Sequence, residues 1–310
     1  AASPSFLNDQ TYYTSAANIA SEVLNTIGGV AGLPSNGVNY FTTYNENNDA
    51  EMIWRGNIQG SPNSAVESRM FPPSLNGKGE VNPTQNFVDA FPMKNGFPAT
   101  TANGYDPQDP YTNRDPRLAE YVVVNGSSFA GGNINTGAGG NVDRLDSIPE
   151  FSTKTGYYLK KLLRPDVRIN DDGSSVGQRH YNVYFRYTEL FLIFAEAANE
   201  IGGPDHQING LSPRAVIQAI RQRAGIDQPD AYLASISTQE DMRDLIRNER
   251  RLELSFEGHR FWDLRRWGLS LNEPVRGYFF DGTTYINLPS VEIRNFLSEY
   301  MPIPNNEVLR

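Results

Sequence analysis

The 310-residue sequence contains no cysteine, which removes disulfides, thiolate metal ligation, thiol catalysis and any lipidated cysteine within this chain. Histidine is nearly as scarce. His180, His206 and His259 are far apart, so a histidine-rich zinc or iron site is not expected. No stretch approaches the roughly 18 apolar residues of a membrane-spanning helix. Positive charge is in deficit: 27 Lys and Arg against 36 Asp and Glu give a net charge of −9, which argues against a nucleic-acid binder. Hydrophobic residues (38%) and charged residues (20%) are both below the usual share, and 27 glycines with 20 prolines fill the difference. The chain is expected to fold with much of its length in turns and loops.

What is present divides along the chain. Gln10 to Ile27 predicts an amphipathic helix, with Ala16, Ile19, Ala20, Val23, Leu24 and Ile27 on one stripe and Gly28-Gly29 as its stop. Alone it has nothing to bury that stripe against. From Gly28 to about Glu150 the chain holds 16 of the glycines and 11 of the prolines. Glu51–Trp54 and Tyr121–Val124 read as short strands among turn-formers, and the Pro73–Val81 loop is expected to be flexible.

Helices return after residue 180. Arg186 to Ile201 carries Leu190, Phe191, Phe194, Ala195, Ala198 and Ile201 on one face and ends at Gly202-Gly203-Pro204. Ser212 caps a second helix with Pro213 in its first turn, making a helical hairpin of tetratricopeptide-like character. The longest helix is predicted to start at Ser237-Thr238-Gln239-Glu240 and run towards Gly258. Pairs at i, i+3 (Glu240/Arg243, Asp244/Arg247, Arg250/Glu253) would support it. From Gln239 to Trp267 seven arginines face seven acids, so the segment is neutral in sum. Arginine stems over Trp262 and Trp267, paired with acids, describe a scaffold, and His259 reads as a packed residue.

This segment, Arg247 to Gly268, resembles the signature of the SusD/RagB family of outer-membrane lipoproteins. The likeness extends to Pro83–Phe91, Asn95-Gly96-Phe97-Pro98, Gly104-Tyr105-Asp106-Pro107, Tyr111–Leu118, Arg186–Glu200 and the ending Pro302–Glu307. The resemblance implies a mainly α fold: tetratricopeptide-like helical pairs with a loop-rich region containing short β-strands. It also implies a C-terminal portion of such a protein, the N-terminal part being absent. The expected organisation is 1–27 as the remnant of a helical array, 28–180 as a loop-rich ligand-presenting region, 181–268 as the helical scaffold with the signature helix, and 269–310 as an irregular end.

The function that the resemblance implies is cell-surface capture of oligosaccharides at the outer membrane, handed to a SusC-like TonB-dependent transporter. The lipid anchor would lie outside this chain. A RagB-like peptide-capturing lid and a non-binding interaction scaffold are the alternatives. Sugars present hydroxyls and apolar ring faces, so their binders combine aromatic platforms with amide and guanidinium donors. Trp54 leads the expected ligand-binding residues, as the only Trp outside the signature segment; Arg69, Phe71, Arg55, Tyr40 and Tyr44 follow.

No catalytic residue, cofactor or resident metal is expected. The clustered Asp106, Asp109 and Asp115 each precede proline, a setting in which carboxylates cap backbone NH groups. Asn170-Asp171-Asp172-Gly173 lacks the ligand spacing of a calcium loop and predicts a hairpin turn.

Overall fold

The structure, a computed structural model, describes residues 10–35 and 50–296. The first half carries α1 (Gln10–Thr26), β1 (Met52–Arg55), α2 (Ala65–Met70), α3 (Gln85–Asp89) and α4 (Pro116–Tyr121). Short strands follow: β2 (Val122–Val123), β3 (Ser127–Phe129), β4 (Gly132–Ile134), β5 (Tyr158–Leu159), β6 (Arg168–Ile169), β7 (Ser175–Val176) and β8 (Val183–Arg186). The helical part holds α5 (Tyr187–Gly202), α6 (Pro213–Arg223), α7 (Ala231–Ser235), α8 (Gln239–Glu253) and α9 (Arg260–Arg266), before β9 (Val275–Phe280) and β10 (Tyr285–Glu292). The fold is mainly helical with short strands, as the sequence leads one to expect.

The strands form five antiparallel two-stranded ribbons among the described residues: β1–β8, β2–β5, β3–β4, β6–β7 and β9–β10. Gly173, at φ 81°, turns the β6–β7 hairpin, and Asp172 accepts from the Ser174 amide inside it. The Asp-Pro carboxylates also act on nearby turns. Asp106 accepts from the Gln108 amide and Asp115 from the Arg117 amide, while Asp109 takes the Thr112 hydroxyl.

The helices start and stop on the signals in the sequence. The Ser212 hydroxyl caps α6 at the Ala215 amide, and Gly203 and Gly225, just past the ends of α5 and α6, have the positive φ that ends a helix cheaply. α1 packs on α5, burying Tyr13, Ala17, Ala20 and Leu24 against a core that includes Phe191, Phe194, Ile217 and Ile246. Only part of the predicted stripe faces this core. Ile19 remains 63% exposed and Val23 is also exposed, because the apolar arc is wider than one neighbouring helix covers.

Two features of the signature segment depart from expectation. α8 is not the longest helix, and it ends at Glu253, where a break with Phe256 and Gly258 in left-handed conformation separates it from α9. Its cap is Thr238, which accepts from the Asp241 amide. The pairs expected within α8 form elsewhere: Arg243 reaches Glu200 on α5, Arg250 reaches Asp263 on α9, and Glu253 binds Arg117, Arg186 and Arg223. A charge facing the interior needs a desolvated partner from another element more than a solvated one on its own helix. Arg247 and Arg266 lie over Trp267 as foreseen, whereas Trp262 turns outward and meets Phe261 edge to face.

The loop-rich half is less loose than its composition suggests. Phe71, Val123, Phe129, Tyr158 and Val167 share one buried cluster, and Phe87, Phe91, Tyr121, Tyr157 and Leu252 share another. The Pro73–Val81 loop is tied down by amide bonds from Lys78 to Ser68 and from Gly79 to Phe71. At Gly77 an added Cβ would fall 2.1 Å from the Phe71 carbonyl oxygen, so only glycine admits this closure.

Candidate functional site

The β1–β8 ribbon grows directly from the buried ion-pair network. Glu51, immediately before β1, is fully buried; it accepts from Arg186 Nη1 at 2.7 Å and from the Thr188 hydroxyl, and its carbonyl takes the Tyr187 amide. Arg186 ends β8 and also binds Glu257 at 2.9 Å. Both strands are therefore clamped where they leave the core. Beyond β1 the pairing continues through Gly56–Asn182, Gln59–His180 and the two bonds between Asn63 and Gln178. Gly177 allows this approach, since a Cβ there would lie 2.3 Å from the Asn63 carbonyl carbon.

On this rigid ribbon Trp54 faces water. It is 65% exposed, and its ring lies 4.9 Å from that of Tyr184, itself 52% exposed, with 47° between the planes. The register is irregular on both sides of Trp54, which aims the indole outward instead of placing it on the inner face with Met52. Next to it the Arg55 guanidinium lies over the Tyr181 ring at 5.0 Å.

Tyr184 forms the rim of a cleft of about 390 Å³, lined also by Arg164, Arg179, His180, Tyr181 and Asn182. Leu162 and Phe256 line it as well. Both have left-handed backbone (φ 74° and 63°), a strained choice for bulky side chains that tends to mark ligand-contacting regions. The carboxylates nearby are already committed. Glu67, fully buried, meets His180 Nε2 at 3.2 Å and accepts the Arg164 amide at 3.0 Å. Burial pushes Glu257 up, but Arg186 and Lys161 outweigh it and hold the carboxyl at about 2. The Lys161 ammonium is in turn pushed down by burial. What the cleft offers a ligand is aromatic faces with guanidinium, imidazole and amide groups.

The expected ligand residues divide. Trp54 and Arg55 are on the ribbon beside this cleft. Arg69 is exposed at the end of α2 and paired with Glu80 at 2.6 Å, a hydrogen-bonded contact that raises the guanidinium pKa and lowers that of the carboxyl. Phe71 is a correction: at 1% exposure, edge to face with Phe129, its ring is sealed in the core and has no face for a sugar. Tyr40 and Tyr44 lie outside the described residues. The sequence reading passed over Tyr181, Asn182 and Tyr184. They carry a mixture of aromatics and amides like that around Tyr40 and Tyr44, in the residues just before the helix at Arg186.

Comparison with known proteins locates this architecture. The model of the SusD family matches residues 37–310. SusD-like protein P25 of Formosa agariphila is 25% identical over 247 residues, 76% of this chain and 43% of the relative. A crystal structure of a SusD-like carbohydrate binding protein from Bacteroides fragilis superposes with a TM-score of 0.52 at 26% identity, covering 66% of this chain and 38% of that one. A second SusD-like protein of Bacteroides fragilis shares the fold over 96% of this chain and 60% of its own, with a TM-score of 0.69 and 24% identity. The chain spans less than half the length of the curated relative.

Proposed function

This chain belongs to the SusD family, and from that premise we propose that it captures oligosaccharides on the Trp54–Tyr184 platform and passes them to a TonB-dependent transporter at the outer-membrane surface. The observation that carries the reading is the exposure of these two rings side by side on a ribbon clamped to the core. Two apolar faces of this size, held above solvent at fixed spacing, favour a ligand that is itself flat and apolar on one side and hydroxylated at its edges. Arg55, Arg179 and Asn182 supply donors and acceptors for those hydroxyls.

Capture leaves the cargo unaltered in this reading. Glu67 and Glu257, the carboxylates at the cleft, are held by His180, Arg164, Lys161 and Arg186 and are not poised as an acid and base across a glycosidic bond. The clamp of Glu51 and Arg186 at the base of the ribbon lowers the ordering cost of binding on this platform.

The test is a glycan array followed by calorimetry on the best ligand. Wild type binds with measurable heat, and Trp54→Ala and Tyr184→Ala each weaken affinity roughly tenfold or more. Equal affinity of both variants and wild type would remove the platform from the site.

A further inference from the structure

The seven arginines and seven acids of residues 239–267 cancel in sum but not in space. Glu249, Glu253 and Asp263 are buried in ion pairs, and Glu257 faces the Tyr184 cleft with Lys161 and Arg186. Their departure leaves Arg251, Arg260 and Arg265 together along a second cleft of about 560 Å³, joined by Arg294. The acid on its wall, Glu273, is exposed to solvent, and Arg294 has Glu292 at 3.5 Å. Among the described residues, Arg251, Arg260 and Arg265 have no carboxylate in ion-pair contact.

The neutral partners of these arginines are few. Arg251 donates to the Asn86 carbonyl at 2.8 Å, and burial together with the nearby Arg260 charge pushes its guanidinium down to about 10. Arg260 is lowered by burial as well, with no hydrogen bond among the described residues. Arg265 lies 3.5 Å over the Phe261 ring, and its buried Nε has no acceptor. The apolar part of the lining comes from Phe87, Phe256, Leu264, Leu271 and Phe296. Glu273 acts on Arg251 and Arg260 only from a distance, without an ion-pair contact. Guanidinium groups partly stripped of water and lacking a contacting anion are costly, and an oxyanion that enters recovers part of that cost through charge-assisted, two-pronged hydrogen bonds.

We propose that this cleft, separate from the Trp54 platform, binds a small molecule with a carboxylate or sulfate-type anion on an apolar body. Arg251 and Arg260 hold the anion, and the Phe261 and Phe296 side receives the body. In a chain of net charge −9 this is a local excess of positive charge, four arginines against Glu273, inside a concave, partly apolar space, which suits one such ligand.

Calorimetry on the full chain tests it with four probes: naphthalene-2-sulfonate, its neutral analogue naphthalene-2-methanol, inorganic sulfate and glucuronate. The sulfonate is expected to bind, more weakly as salt rises, and at least roughly tenfold more tightly than the other three. Arg260→Gln, at a partly exposed position that a fold tolerates, weakens the sulfonate by roughly tenfold, and Arg251→Gln does the same where thermal melting shows it folded. Absence of binding, equal binding of the neutral analogue, glucuronate binding as tightly as the sulfonate, or an unchanged affinity in Arg260→Gln would each overturn the proposal.

Discussion

Arg117 and Glu249 meet at 2.9 Å with neither side chain open to solvent. The other carboxylate oxygen of Glu249 binds Arg221 at 2.8 Å, and Arg117 also holds Asp115 and Glu253. One carboxylate of α8 thus joins the Asp-Pro turn of the loop-rich half to the helical half. Through Glu253, Arg186 and Glu51 the same network reaches the base of the β1–β8 ribbon.

Removing one member of this network strands its partners in a medium where they cannot be solvated. Glu249→Ala or Arg117→Ala is expected to lower stability by about 3 to 5 kcal/mol in denaturant titration. Arg69→Ala, at an exposed pair, leaves the unfolding midpoint where it was.

Acid should undo the same network. Burial pushes Glu253 up, but Arg223, Arg186 and Arg117 outweigh it and hold it at about 2, the value also held by Glu257, against an ordinary 4.5. Since both are depressed on folding, their contribution is complete above pH 4.5 and is lost as pH falls towards 2. Unfolding free energies from urea titrations through this window are expected to fall by up to about 1.4 kcal/mol per pH unit for each group. Glu253→Gln, already destabilised at neutral pH, shows a shallower slope. An equal slope would detach Glu253 from the acid transition.

Phe71 and Tyr184 separate structure from binding. Phe71→Ala opens a cavity beside Phe129 and should cost about 3 to 5 kcal/mol, with saccharide affinity of the folded molecules unchanged. Tyr184→Ala does the reverse, weakening affinity while the melting temperature stays within a degree or two of wild type. Calorimetry and thermal denaturation on the same samples distinguish the two.

Gly177→Ala places a methyl against the Asn63 backbone, which has no flexible end to move aside. The ribbon must open there, and a loss of about 1 to 3 kcal/mol is expected together with weaker saccharide binding. A variant with full stability and affinity would mean that the ribbon does not need this approach.

The helical half was readable almost to the residue because its punctuation is local. Gly28, Gly202-Gly203 and Ser212-Pro213 act through their own backbone and caps, whatever packs nearby. The Glu253 end of α8 was not, since the left-handed Phe256 that breaks the segment is held by packing against Phe87 and has no signature in the chain. The exposed face of α1 and the partners of Arg243, Arg250 and Glu253 were hidden for the same reason: they depend on which element comes alongside. Among the candidate ligand residues, Trp54 stands out in the sequence by its rarity, and its ring is exposed. The exposure of Tyr184 and the burial of Phe71 were not legible, because an aromatic beside polar residues looks the same in sequence whether its ring faces water or Phe129.

The most direct measurement is the position of a bound oligosaccharide in a crystal of this protein grown with its best array ligand. The account predicts a sugar ring lying against the Trp54 indole and the Tyr184 ring, its hydroxyls reaching Arg55, Arg179 or Asn182. A saccharide seated elsewhere, with Trp54 and Tyr184 bare, would contradict it.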